Sequence, residues 1–184
     1  NFMITVVDPQ GGHFQGAVVK NAGALANAVN LRITTAGLSN VCDSGLAALR
    51  GILFDGASGS ISGNTISNLN QGASACPEGN GIEVQNFSTN GTIPPVQTVE
   101  ITSNKVFDYQ KSGIVCDAYV SCLVRSNTVG ASATEAYQPV NGIQIGYGAG
   151  AVVENNDVGG NSWPGSANNV STAILLYWAA RGTV

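Results

Sequence analysis

Charge is what this chain has least of. Only 10% of its 184 residues are Asp, Glu, Lys or Arg, with 7 basic against 11 acidic residues, a net charge of −4 and a pI near 4.7. No basic run occurs, which argues against a nucleic-acid partner or an anionic membrane surface. No apolar run reaches the ~20 residues of a membrane-spanning helix. The single histidine, His13, sits in a Gly-rich turn with no partner nearby in sequence, and we read it as a surface residue. One histidine and no closely spaced cysteine pair speak against a transition-metal site, and no cofactor motif is present. No signal peptide precedes the strand-like FMITVV, so a mature or trimmed product is expected.

What the chain does have is a repeat. Four times it writes Gly-Ile-x-apolar and then a short apolar-x-x-Asn-x-apolar block: GILF with ISGNTI, GIEV with ITSNKV, GIVC with VRSNTV, and GIQI with VENNDV. A fifth copy opens as AILLY. The lead residues Gly51, Gly81, Gly113, Gly142 and Ala173 are spaced by 30, 32, 29 and 31 residues. A fixed period in this range marks a stacked-repeat architecture, because one repeat cannot bury its own apolar face.

Each block alternates on a two-residue period, as half-buried strands do. Ile52 and Phe54, Ile82 and Val84, Ile114 and Cys116, Ile143 and Ile145, and Ile174 and Leu176 form the expected inward set. Helical repeats are excluded by 24 glycines and by the lack of three- and four-residue apolar spacing. Gly and Asn are expected at tight, positive-φ corners. Asn64, Asn104, Asn127 and Asn156 share one register, which predicts a ladder of side-chain amide hydrogen bonds running up the stack.

This alternation resembles the right-handed parallel β-helix repeats of the pectin-lyase-like superfamily, clearly over residues 51–177 and more loosely over 1–50. The resemblance implies one all-β domain, residues 1–184, a right-handed parallel β-helix (solenoid) of about six or seven coils. In the first fifty residues, 17–19 and 31–38 look like degenerate blocks, with Ile33, Ala36 and Leu38 matching Ile61, Asn64 and Ile66. The Ala-rich stretch 22–29 suits one helical turn or a loop. Enzymes of that superfamily hold substrate along the outward residues of one parallel sheet. The matching rows here are Leu53, Glu83, Val115, Gln144, Leu175 and Asp55, Gln85, Asp117, Gly146, Tyr177.

These rows place Asp55, Glu83 and Asp117 on three successive coils as candidate catalytic groups. At about 4.8 Å per strand the two aspartates are roughly 10 Å apart with Glu83 between. That is near the upper limit for an inverting carboxylate pair. The same three groups also suit Ca²⁺, and turn capping by Asp is the plainer reading. No Arg or Lys falls in these rows, and the superfamily's lyases use a basic residue, so an enzyme is the less favoured reading. If enzymatic, the chain is a polysaccharide hydrolase or lyase.

Tyr137, Tyr147, Trp163 and Tyr177 are candidate sugar-stacking rings. Cys116 and Cys122 flank one corner, and Cys42 and Cys76 fall in equivalent loops of neighbouring coils. The expected bridges are therefore Cys42–Cys76 and Cys116–Cys122, which imply a secreted or cell-surface protein. Asn86, Asn90 and Asn169 begin Asn-x-Ser/Thr triplets in segments read as loops and would accept glycans in a eukaryotic setting. Two functions stay open. One is an extracellular β-helix that binds or processes polysaccharide along an outward face. The other is a structural or adhesive protein that self-associates through its solenoid ends into a filament.

Overall fold

The computed structural model describes residues 2–7, 14–38, 49–74, 76–131, 138–165 and 168–184. The chain winds through strands in triplets. The first triplet is β1 (Phe2–Val7), β2 (Gln15–Lys20) and β3 (Leu25–Val29), and the second is β4 (Leu31–Ala36), β5 (Arg50–Asp55) and β6 (Ser58–Ser62). The third is β7 (Thr65–Ser67), β8 (Asn80–Asn86) and β9 (Gln97–Thr102), and the fourth is β10 (Lys105–Phe107), β11 (Ser112–Ala118) and β12 (Val120–Arg125). The last two are β13 (Thr128–Gly130), β14 (Asn141–Gly146), β15 (Gly150–Glu154), and β16 (Asp157–Gly159), β17 (Thr172–Tyr177), β18 (Arg181–Thr183). The only helix among the described residues is a three-residue 3₁₀ turn, Gly72–Ser74.

Every third strand stacks in parallel register, giving three six-stranded sheets: β1-β4-β7-β10-β13-β16, β2-β5-β8-β11-β14-β17 and β3-β6-β9-β12-β15-β18. The protein is a parallel β-solenoid of about five turns, slightly fewer than the six or seven expected. Inward residues of all three sheets meet in one core, with Ile52, Phe54, Ile61, Ile66, Ile82, Ile101, Ile114 and Ile143 fully buried. Among the described residues no helix is long and apolar enough to cross a membrane.

The structure corrects the sequence reading at three places. Each Asn-containing block is two strands rather than one. Ser58–Ser62 belongs to the third sheet and Thr65–Ser67 to the first. Between them, the residue before each ladder asparagine turns the corner with positive φ: Gly63, Ser103, Ser126 and Asn155, at 66, 57, 56 and 55°. Second, residues 25–29 form a strand paired with β6, not a helical turn, because Ala28 fills the core position under Ile61. Third, the early repeat slips by five residues, so that Ala28, Leu31 and Ile33 rather than Ile33, Ala36 and Leu38 stand opposite Ile61, Asn64 and Ile66. Ile33 pairs with Ile66, and Leu31 occupies the ladder position, where its backbone N–H still donates to Asn64 Oδ1 at 2.9 Å.

The recurrent glycines also act differently from expectation. None of Gly51, Gly81, Gly113 and Gly142 has positive φ. Instead, a Cβ on Gly81 would lie 2.2 Å from Val106 Cγ1 and 2.6 Å from the carbonyl oxygen of Gly113, and the other three would meet equivalent atoms. The glycine row is therefore a close approach between the first and second sheets. Gly51 and Ile52 both face the interior there, and the strand register skips the glycine. The alternation breaks at that point, so Arg50 turns outward.

The asparagine ladder forms. Nδ2 of Asn64, Asn104 and Asn127 donates to Oδ1 of the next asparagine at 2.9, 3.0 and 2.9 Å, and to the carbonyls of Ala28, Ile61 and Ile101. The same Oδ1 atoms accept the backbone N–H groups of Asn64, Asn104 and Asn127. Each buried amide is thus satisfied on both sides, which the interior demands. Buried Gln110 and Gln138 form a further polar stack with the loops between the first two sheets. Gln138 Nε2 donates to the carbonyls of Cys76 and Gln110, at 2.6 and 3.2 Å.

Candidate functional site

Outward residues of the second sheet line a groove of about 600 Å³. Strand register sets its floor. Leu53, Glu83, Val115, Gln144 and Leu175 lie in one row, and Asp55, Gln85, Asp117, Gly146 and Tyr177 in the next. Both rows are those expected from the sequence.

Glu83 and Asp117 enter this groove on adjacent strands, and both side chains are nearly buried, at 4% and 8% exposure. Glu83 Oε2 accepts from Arg50 Nε at 2.6 Å and from Asn80 Nδ2 at 2.6 Å. Arg50 also lies 3.7 Å from Glu78. Burial opposes the guanidinium charge, yet the Glu83 hydrogen bond and the surrounding carboxylates outweigh it and raise the Arg50 pKa. Glu83 Oε2 is therefore fully engaged by Arg50 and Asn80.

Asp117 is treated in the opposite way. Burial, reinforced by the negative field of Glu83, pushes its pKa up to about 7, against a smaller opposing effect of a hydrogen bond from Gln144. Its Oδ1 is buried without a hydrogen-bond partner, as is Oδ1 of Asn80 at the same groove. Gly146 makes room for the Asp117 carboxyl, since a Cβ there would lie 2.8 Å from Oδ1. Gln144 Oε1 accepts from Asn141 Nδ2 at 3.2 Å, and Asn141 Oδ1 accepts from Thr172 Oγ1 at 2.8 Å, which orients the amide facing Asp117. The groove thus holds one carboxyl titrating near neutrality beside another paired with a guanidinium, two environments that let two acids take different roles.

One side of the groove is aromatic. Tyr147 and Tyr177 sit with ring centroids 5.7 Å apart, Phe87 lies 6.2 Å from Tyr147, and Trp178 stacks on Tyr177 at 4.8 Å. All four rings are exposed. Tyr147 and Trp178 stand at left-handed corners, φ 51 and 54°, in the corner row where Gly56 also stands. Bulky side chains there cost about 1–2 kcal/mol, so outward display of the rings is maintained against backbone strain.

Not every expected residue joins the site. Asp55 pairs with Lys20 at 3.5 Å and lines an adjoining depression of about 630 Å³ rather than this groove. Among the described residues no group of three or more His, Cys, Asp or Glu side chains converges as a metal-ligating cluster. Trp163 is half-buried against Gly165, in the segment after β16 and away from the groove. Tyr137, Cys42 and His13 lie outside the described residues. Cys116 and Cys122 form a disulfide across one corner, and no described cysteine is a free thiol.

Asn86 is the last residue of β8 rather than a loop residue. It is buried, and its Nδ2 donates to the carbonyls of Pro95 and Tyr119 at 2.8 and 3.2 Å. The folded chain therefore offers that amide no open approach, whereas Asn90 and Asn169 are exposed.

Sequence reasoning missed Arg50 and Lys111, which supply the cations it found absent from the two rows. Strict alternation places Arg50 inside; the skipped glycine turns it out. The signal was the polar residue before every recurrent glycine: Arg50, Asn80, Ser112 and Asn141. Lys111 precedes one of these, and its Nζ donates to the Pro139 carbonyl at 3.2 Å.

No protein-family model, curated protein or solved structure matches the chain.

Proposed function

We propose that the protein binds a polysaccharide along the outward face of the second sheet, and that Asp117 and Glu83 equip this groove to act on the bound chain. The observation that carries the reading is the meeting, in one groove, of a carboxyl titrating near 7, a carboxylate held by Arg50 and an exposed row of aromatic rings. Aromatic faces pack against the apolar face of a pyranose ring, and flanking amides and hydroxyls meet its hydroxyl groups. Protonated Asp117 would donate a proton to a leaving glycosidic oxygen, the role such an acid fills in hydrolysis.

The disulfide supports a secreted or cell-surface location, where such bridges persist. Kinship with the pectin-lyase-like superfamily is part of the same reading, supported by the stacked parallel sheets and the asparagine ladder.

Two measurements test this. Affinity electrophoresis through gels containing polysaccharides should retard the wild-type chain and not Tyr177→Ala. Release of reducing ends, if present, should vanish in Asp117→Asn. Free migration through every polysaccharide gel removes the reading.

End-to-end self-association has its own supporting observation. The outer strand β17 pairs only with β14 among the described residues, and Leu176 and Trp178 beside its free edge are exposed. An unpaired edge templates another chain. Sedimentation velocity showing one species at every concentration counts against it.

A further inference from the structure

We infer that the groove takes a chain of neutral sugars and not a polyanionic one; this rests on the polysaccharide reading above. Recognition of a carboxylated or sulfated chain needs cations free to face it. Among the described residues lining the groove, the cations are Arg50 and Lys111. Arg50 is committed to Glu83 at 2.6 Å and lies 3.7 Å from Glu78. Lys111 donates to the Pro139 carbonyl at 3.2 Å, and burial lowers its pKa, so its charge is disfavoured where it sits. Lys20, in the adjoining depression, is paired with Asp55.

The rest of the lining is acidic, amide or aromatic. An anionic sugar would face Glu83 across the groove and would hold the proton on Asp117 more tightly still. A chain with net charge −4 also repels a polyanion at long range. What the groove exposes is different: the amide of Gln85 at its edge and the rings of Tyr147 and Tyr177, with the unpartnered Oδ1 atoms of Asn80 and Asp117 buried beneath its surface. Acceptor atoms and aromatic faces match the hydroxyl and C–H surfaces of an uncharged pyranose.

The test compares polymers on the intact chain at about pH 6. Galactomannan, xyloglucan and mixed-linkage β-glucan serve as neutral probes, and polygalacturonate and alginate as anionic ones. Retention by at least one neutral polymer is expected. It should change less than about twofold between roughly 0.01 and 0.15 M salt, since no ion pair across the interface is screened. Tyr177→Ala should weaken it roughly tenfold, as loss of an aromatic anchor does. Retention by polygalacturonate that fades with salt and is lost in Lys111→Gln overturns the inference while leaving the polysaccharide reading intact. Retention by none of the five polymers overturns both.

Discussion

Nε of Arg50 lies 2.6 Å from Oε2 of Glu83, although 33 residues separate them in sequence. The contact exists because adjacent turns of the second sheet put β5 beside β8 and because the glycine after Arg50 breaks the strand alternation. Removing one member of such a pair leaves the other charge stranded in a poorly solvated place. Arg50→Met is expected to destabilise the fold by about 3 kcal/mol, and Glu83→Gln by less. In the Arg50→Met, Glu83→Gln double variant much of the loss should return. Urea unfolding of the four proteins gives the coupling directly, and strict additivity would deny the pair any special role.

Asp117 makes stability depend on pH with a sign opposite to that of most carboxylates. Its pKa is about 7 in the fold against 3.8 for an ordinary aspartate. Between those values the folded chain keeps a proton that the unfolded chain has lost. The contribution is therefore complete below about pH 4, falls as the pH rises to about 7 and is flat above. Asp117→Asn should unfold at a higher temperature than wild type at pH 8 and at the same temperature at pH 4. Carboxyl ¹³C titration should show one aspartate near 7, moving down in Glu83→Gln as the repelling charge is removed.

The ladder carries a larger load per residue. Asn104→Ala strips the acceptor from the backbone N–H and Nδ2 of Asn64, and the Nδ2 donor from the Ile61 carbonyl and Asn127 Oδ1. A loss of about 3 kcal/mol or more is expected, since each buried group left unpaired costs about 1–3 kcal/mol. Asn156→Ala should cost less, because Asn156 is only half-buried. Equal losses at the two rungs would show that burial does not set the cost.

Glycine 81 and glycine 130 differ only in what surrounds them. A Cβ on Gly81 would fall 2.2 Å from Val106 Cγ1, whereas the nearest atoms to one on Gly130 are 3.8 Å away. Gly81→Ala should therefore cost about 1–3 kcal/mol by overpacking, while Gly130→Ala should stay within about 0.5 kcal/mol of wild type. Thermal unfolding distinguishes them.

Tyr147 holds a left-handed conformation that asparagine adopts readily. Tyr147→Asn is expected to leave stability unchanged or slightly raised while weakening retention by polysaccharide. A large loss of stability would mean the ring serves packing instead of ligand contact.

The repeat by itself determined the architecture. A thirty-residue period with isoleucines two apart can bury its apolar face only by stacking, and the fixed register of Asn64, Asn104, Asn127 and Asn156 announced a ladder before any coordinates. The outward rows with Glu83 and Asp117 followed from the same register, because parallel stacking sets equivalent residues one above another. Only the tertiary structure decided which outward groups meet. Arg50 reaches Glu83 through a break in alternation whose cause is the approach of the neighbouring sheet, a contact no local pattern records. Asp55 is drawn away by Lys20 from an earlier turn. The raised pKa of Asp117 depends on burial among neighbouring turns and on the charge of Glu83 from the turn before. Residues far apart in the chain create each of these effects, so periodicity located the groove and packing set its chemistry.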